Sequence, residues 1–492
     1  MRKWRNLTPP DDPGAWNDVS GMWPTPLGSY EVADFYDGGT NKTATGALNV
    51  QSAWAFKTLS GQRCYVVTPT STTGKIWEYA SGSFTDRTGA ISINAADAGH
   101  MCQYGDVSIV ARGVGASLAS STGGNFASVA GSPSAVIAVT QSNAVVGFNT
   151  SVSADGWAAS DVGDYTNWTT GESASGRILE NNGPVTAAVP FGNDIIVFKS
   201  DSIFRMTYVG GTVKWQVQKI WQGVGCHNPS TVTRCLASDC AGNIVFMGQA
   251  RVGGTDQTPA IYLFDGASPP RQVNLDLQLQ ISSTKPLAEP YPIYDARSRR
   301  IYLITSSASG STSVCPYYYS QDADSWGLGR DIYSSVGNNA FAAVRGDAVA
   351  VENIFGTAAA SPCRPIFAFA STNNLTLYMP VQPGGSTASS GYVTTSKLGR
   401  VDAKTLFSRL TPLLRRRVNG SGGTPACSLV VTFYRELHDT TASSTLNVTE
   451  STLRKRFDFT GSDNFAVFKV TFADMDAEID DVLALMKPAG VE

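Results

Sequence analysis

The sequence predicts an all-β fold, a β-propeller of about six or seven blades with an N-terminal extended arm and a small C-terminal β domain. Three observations predict it. Short apolar strands separated by tight turns recur roughly every 35–50 residues, as propeller blades do. The composition is turn-rich, with 48 glycines and abundant Ser and Thr. Strongly helical stretches are scarce.

The recurring unit is an apolar strand, a turn of two to four residues, a second apolar strand, a gap and an aromatic-rich strand. One copy runs Ala53-Trp54-Ala55-Phe56, Cys64-Tyr65-Val66-Val67 and Ile76-Trp77-Glu78-Tyr79. Others begin at Val185, Ile244, Pro292 and Phe341, and weaker copies fall at 99–131 and 134–170. One such sheet cannot cover both of its faces, but a stacked neighbour covers one of them. A set of β-sandwiches is the alternative, because the repeat length is irregular.

These units place the propeller at residues 51–380. Residues 1–50 precede it as an arm rich in Pro and Gly that carries Trp4, Trp16 and Trp23, aromatics that need a surface to lie on. A Gly/Ser-rich linker at 381–391 follows, then a β platform or docking domain at 392–492. Within that domain the acidic segment Asp474–Met486 reads as a short helix.

With 492 residues the chain is too long for one ordinary core, unless repeats spread it. Only 16% of residues are charged, which leaves a largely neutral surface suited to extensive contacts. A net charge of -3 argues against nucleic acid as a simple surface ligand. No apolar run reaches membrane-helix length, and no secretory h-region follows Met1-Arg2-Lys3-Trp4-Arg5, so no membrane span and cytoplasmic synthesis are expected. The eight scattered cysteines read as buried thiols of a reducing compartment.

Candidate chemistry is sparse. Cys226, His227, Cys235 and Cys240 are the best metal candidates, but they lack the tight Cys pairs of structural zinc. The three histidines, His100, His227 and His438, lie near no nucleophile elbow. Paired carboxylates for glycoside hydrolysis could come from Asp155, Asp161 and Asp164. They could also come from Ser320–Trp326, which loosely resembles the Asp-box of sialidases. No phosphate loop, dinucleotide fingerprint or deaminase motif is present. The expected assignment is therefore no catalytic residue, no metal, no cofactor and no enzyme activity. The strongest charge feature is the basic run Lys397, Arg400, Lys404, Arg409, Arg415, Arg416 and Arg417. It reads either as a solvated or intersubunit face, or as a contact for DNA or an acidic partner.

Residues 156–208 carry a more specific pattern. It comprises Ser160-Asp161-Val162-Gly163-Asp164-Tyr165-Thr166-Asn167-Trp168, Gly183-Pro184-Val185-Thr186-Ala187 and Asp194-Ile195-Ile196-Val197-Phe198-Lys199. This resembles the tail nozzle, or tail tubular protein B, family of short-tailed bacteriophages. The segments Trp23-Pro24-Thr25-Pro26 and Thr394–Leu398 are similar to that group too. The resemblance implies a structural virion protein, made in the host cytoplasm and placed in the tail. It implies a homohexameric ring that docks to portal and adaptor proteins and to tail fibres or a needle, and lets genomic DNA pass. It makes Trp168 a blade-packing anchor and Gly163-Asp164 and Gly192-Asn193 hairpin turns. The alternative is a propeller that binds or cleaves a surface glycan.

Overall fold

The computed structural model describes residues 50–226 almost continuously, except 51, 70–73, 81–82, 94–98, 114 and 182. It also describes 243–252, 255–256 and 260–273, and elsewhere mainly the backbone of individual strands. Every described element of regular structure is a strand. Among the described residues, no helix is long and apolar enough to cross a membrane.

Four successive sheets are simple antiparallel meanders of four strands each. The first comprises Ser52–Thr58, Gly61–Pro69, Gly74–Ala80 and Ser83–Asp86. The second comprises His100–Tyr104, Val107–Ala111, Ala119–Ser121 and Ala127–Ser128. The third comprises Ala135–Gln141, Ala144–Thr150, Gly156–Ala159 and Ala174–Arg177. The fourth comprises Ala187–Phe191, Asp194–Phe198, Ser202–Tyr208 and Trp215–Gln222. The weak sequence copies at 99–131 and 134–170 are thus well-formed sheets. Ser142 and Asn143 close the first hairpin of the third sheet, both at positive φ, as a two-residue turn matched to strand twist requires. Gly192-Asn193 is the matching hairpin turn of the fourth sheet, with Phe191 paired to Asp194.

The core lies between consecutive sheets. Trp54, Tyr65 and Ile76 of the first sheet pack with Met101, Val110 and Phe126 of the second. Ile109 and Ala111 meet Ala138 and Val145 of the third. Phe148 and Trp157 meet Phe204, Met206 and Trp215 of the fourth. Phe198 and Ile203 in turn meet Phe246 and Tyr262 of the next sheet, built on Asn243–Val252 and Ala260–Phe264. Both faces of an inner sheet are therefore apolar, and each buried large side chain contributes about 1.5–3 kcal/mol. The leading strands of the sheets run side by side in chain order, from Ser52–Thr58 through Ala187–Phe191 to Ala237–Cys240 and Pro292–Asp295.

A sixth sheet holds Pro292–Asp295, Arg300–Ser306, Ser313–Ser320 and Ser325–Leu328. A seventh set, Phe341–Gly346, Phe367–Ser371 and Asn374–Val381, is completed by Phe35–Gly38 and Lys42–Thr43 from the N-terminal region. Phe341–Gly346 also pairs in parallel with Ser52–Thr58, so this set and the first sheet form one nine-stranded sheet.

Other described strands of residues 1–50 pair with strands from the C-terminal part of the chain. Lys3–Trp4 and Ala15–Ser20 join a sheet with Ser390–Thr395, Phe465–Ala473, Cys427–Tyr434 and Thr440–Val448. Met22–Pro24 and Tyr30–Val32 join another with Ala477–Pro488, Thr405–Arg416 and Phe457–Asp463. The helix expected over Asp474–Met486 is corrected here. Its residues from Ala477 onward form a 12-residue strand paired along Thr405–Arg416, because a long partner strand outweighs local helical propensity.

Candidate functional site

Residues 160–173 join the last two strands of the third sheet and form a loop with an ordered polar interior. Asp161 organises it. Its amide donates to the Asn167 carbonyl at 2.7 Å. Its carboxylate accepts from the Asn167 side-chain amide at 3.2 Å and from the Glu172 backbone amide at 2.6 Å. Gly171 has φ +65, and a Cβ there would collide with the Asp161 carboxylate. Asp164 caps the following turn, accepting from the Thr166 amide at 2.9 Å and its hydroxyl at 2.6 Å. Those bonds hold the Asp164 carboxyl below its usual range.

Two neighbouring turns fix the loop from outside. The Gly163 amide donates to the Asn143 carbonyl at 2.8 Å. The Lys214 ammonium, from the last hairpin of the fourth sheet, donates to the carbonyls of Gly171 and Ser173, the latter at 2.9 Å.

Aromatic side chains flank these carboxylates. Trp168 donates its indole N–H to the Tyr165 carbonyl at 2.8 Å, and the Tyr165 ring lies 5.4 Å from that of Tyr104 in the second sheet. All three are half-buried against the core between the second and third sheets. Tyr208, at the end of its strand in the fourth sheet, donates to a Glu172 carboxylate oxygen at 3.3 Å and packs edge-on against Trp215. Desolvation raises the Tyr104 phenol, followed by the charges of Asp164 and Asp161. Desolvation likewise raises Tyr208, followed by Glu172 and then Asp161. Tyrosines from two different sheets therefore feel the same Asp161 charge. Half-exposed rings beside oriented carboxylates can stack on a flat apolar face and accept hydrogen bonds from hydroxyl groups around it.

Other expected site residues fall elsewhere. Asp155 lies at the opposite end of the strand Gly156–Ala159 from Asp161 and Asp164, where Arg177 binds it at 2.9 and 3.1 Å. The three aspartates therefore do not form one cluster. Trp168 packs on the core as an anchor would, whereas Gly163-Asp164 sits within a bridged loop turn rather than a strand hairpin. Ser320 and Ser325 pair across a hairpin whose turn lies outside the described residues. In the basic run, Arg409, Arg415 and Arg416 lie on the strand Thr405–Arg416, opposite Leu485, Glu478 and Ala477. Lys397, Arg400, Lys404 and Arg417 lie outside the described residues. Of the metal candidates, Cys226 is buried and Cys240 ends the strand Ala237–Cys240, while His227 and Cys235 lie outside the described residues, as does His438. Among the described residues, no group of three or more His, Cys, Asp or Glu could hold a metal ion. The His100 ring lies tilted against that of Trp54, with 4.8 Å between centroids. Tyr104, Glu172 and Tyr208 were not anticipated, since nothing in their spacing announces a meeting of three sheets.

No protein-family model matches the chain, and no curated protein matches it. Solved structures do match, at low similarity. An exo-beta-1,3-galactanase from Phanerochaete chrysosporium, solved with galactose, is 10% identical over 91% of this chain and 100% of its own, with a TM-score of 0.28. Trypanosoma rangeli sialidase with the inhibitor DANA is 8% identical over 90% and 97%, with a TM-score of 0.32. AztD from Citrobacter koseri is 10% identical over 67% and 86%, with a TM-score of 0.35. At these scores no residue correspondence or activity transfers. The expectation of a virion tail nozzle without enzyme activity is nevertheless corrected by this comparison. The structures that match include glycoside hydrolases and sialidases, and the tail reading gains nothing from them.

Proposed function

We propose that this chain is a β-propeller of six or seven blades that binds a glycan at the 160–173 loop and cleaves it there. The propeller arrangement is supported by the side-by-side leading strands and the apolar layers between consecutive sheets. A strand from the N-terminal region that completes the last set is the kind of closure a ring needs. The observation that carries the functional reading is one loop, held by Asp161, that presents the Tyr104–Tyr165 pair with Trp168 on one side and the Tyr208–Glu172 hydrogen bond on the other. Sugar rings present apolar C–H faces to aromatics and hydroxyls to carboxylates. Hydrolysis needs a carboxylic acid to protonate the departing glycosidic oxygen and a carboxylate to take a proton from the attacking water. Asp161 and Glu172 are the candidates for that pair.

The test combines a panel of soluble polysaccharides with a reducing-end assay. Binding that Trp168→Ala weakens, together with release of reducing ends that Glu172→Gln abolishes, is the expected result. Binding without cleavage would leave a glycan-binding protein and remove the enzyme reading. No binding across the panel would remove both.

A further inference from the structure

We infer that the strand Thr440–Val448 is a docking edge for a second copy of this chain, which adds the same strand to it antiparallel about a two-fold axis at Thr445. The inference stands apart from the glycan reading, because this strand belongs to a sheet of the C-terminal part and not to the loop at 160–173.

It rests on a contrast between sheet edges. An edge strand leaves a row of N–H and C=O groups without a ladder. Folded proteins guard such rows by keeping them short, or by placing charge, proline or a bulge on them. The sheet that holds Thr440–Val448 ends on its far side at Lys3–Trp4, two residues with a lysine. The sheet built on Thr405–Arg416 and Ala477–Pro488 ends at Met22–Pro24, three residues closed by a proline. Its other end is Phe457–Asp463, which carries Asp458 and Asp463 and pairs across a bulge. Three of the four-stranded meanders end at Ser83–Asp86, Ala127–Ser128 and Ala174–Arg177, of four residues or fewer. The last ends at Trp215–Gln222, longer but with Lys219 and a bulge in its pairing.

Thr440–Val448 is nine residues long and has no charge, no proline and no glycine. Its one register shift falls at the Thr440 end, so Ala442–Val448 runs in unbroken register against Cys427–Phe433. Among the described residues nothing pairs with its other side. A charged partner strand would find no countercharge along it. The strand that fits is its own copy, since an uncharged edge turned on itself brings no like charges together. Phe457–Asp463 or Trp215–Gln222 paired in that way would gather like charges on the new ladder. Centred on Thr445, the pairing sets Ala442 opposite Val448, Ser443 opposite Asn447 and Ser444 opposite Leu446. Thr445 then faces Thr445, a pair that strands favour.

The test is sedimentation velocity of the full chain over a range of concentrations. Wild type should show a monomer–dimer equilibrium that moves towards dimer as concentration rises. Thr445→Lys sets two ammonium groups against each other at the axis, and should weaken dimerisation by about tenfold, the scale of one like-charge contact near a surface. Thr445→Asp should do the same. An equimolar mixture of the two variants should dimerise again, which misfolded variants would not do. A wild type that stays monomeric up to its solubility limit would overturn the inference. So would a dimer or larger assembly that Thr445→Lys leaves intact, and either result leaves the glycan reading as it was.

Discussion

The Lys199 ammonium lies 2.6 Å from the Asn181 carbonyl, at the end of a side chain that is 0% exposed. It also donates to the carbonyls of Ile178 at 2.5 Å and Glu180 at 3.1 Å. A lysine of the fourth sheet thus satisfies three carbonyls of the segment leaving the third. Burial pushes its pKa down, and the charges of Asp155 and Asp201 oppose that shift. The side chain works as a buried clasp between sheets. Lys199→Met keeps much of the volume but leaves the carbonyls without a donor, and should cost about 3 kcal/mol. Urea unfolding followed by tryptophan fluorescence measures it, and a loss below about 0.5 kcal/mol would show that the clasp is dispensable.

Gly225 tests the same junction from the other side. A Cβ at this position would run into the Lys199 carbonyl and the backbone of Ser200 and Asp201. These are backbone atoms of a packed turn, so the strand Val224–Cys226 would have to move away. Gly225→Ala should therefore destabilise by several kcal/mol, on the order of 3. Gly192→Ala is the contrasting case. Its φ of +60 strains an alanine, but the space around it is open, so its cost should be only about 1 kcal/mol. Equal losses in the two variants would contradict the close approach at Gly225.

Arg177 and Asp155 predict an acid limb. The Arg177 hydrogen bond is the main cause that depresses the Asp155 pKa. The depressed value means that this stabilisation is fully present above the ordinary carboxylate range and is lost as pH falls through the folded-state pKa. The Arg177 side chain is 56% exposed, so solvent screening keeps the contribution of the pair small. Arg177→Gln should lower unfolding free energy by that small amount at pH 7. The difference from wild type should vanish at a pH below the folded-state pKa. A difference that persists there would mean that Arg177 acts through packing rather than charge.

These junctions also explain what the sequence made legible. Strand-turn-strand units such as Ile195–Phe198 and Ile203–Met206 are visible because apolar runs alternate with obvious turns. The second sheet was faint because its outer strands are short and built of Ala and Ser, as in Ala119–Ser121 and Ala127–Ser128. Small residues give little hydrophobic signal, although Ala119 is fully buried. Lys199 follows Phe198 at a turn and reads as a surface charge, and nothing in the sequence says that three carbonyls surround it. Asp161, Asp164 and Trp168 were singled out locally. Glu172 and Tyr208 meet across 36 residues, from different sheets, a relation that strand periodicity does not encode.

The buried thiols give an alkaline prediction. Burial pushes Cys64 and Cys102 each up to about 12. Each raised pKa means that the folded protein keeps a proton which the unfolded chain releases near pH 9, so stability falls as pH rises from about 9 towards 12. Native protein at pH 8 should leave both thiols unmodified by maleimide, and unfolding in urea should expose them. Cys64→Ala and Cys102→Ala should flatten the alkaline loss while costing core packing at neutral pH. Rapid labelling of Cys64 or Cys102 in the native state would contradict their burial.

Gly171 offers the sharpest separation of site geometry from overall stability. Its φ of +65 and its contact with the Asp161 carboxylate leave no room for a side chain. An alanine would displace Asp161, and with it the anchor for the Glu172 amide, while Val162, Tyr165 and Trp168 still pack the loop on the apolar layers between sheets. Gly171→Ala should therefore cost about 1–2 kcal/mol of stability. Glycan binding should fall much further than in Thr169→Ala, a neighbouring change at an exposed position. Trp168→Ala should weaken binding by about tenfold, the loss expected from roughly 60 Å² of apolar contact. Calorimetric titration with the tightest polysaccharide of the panel reads all three. Wild-type affinity in Gly171→Ala, in a protein that still melts cooperatively, would mean that the Asp161-centred loop does not hold the ligand.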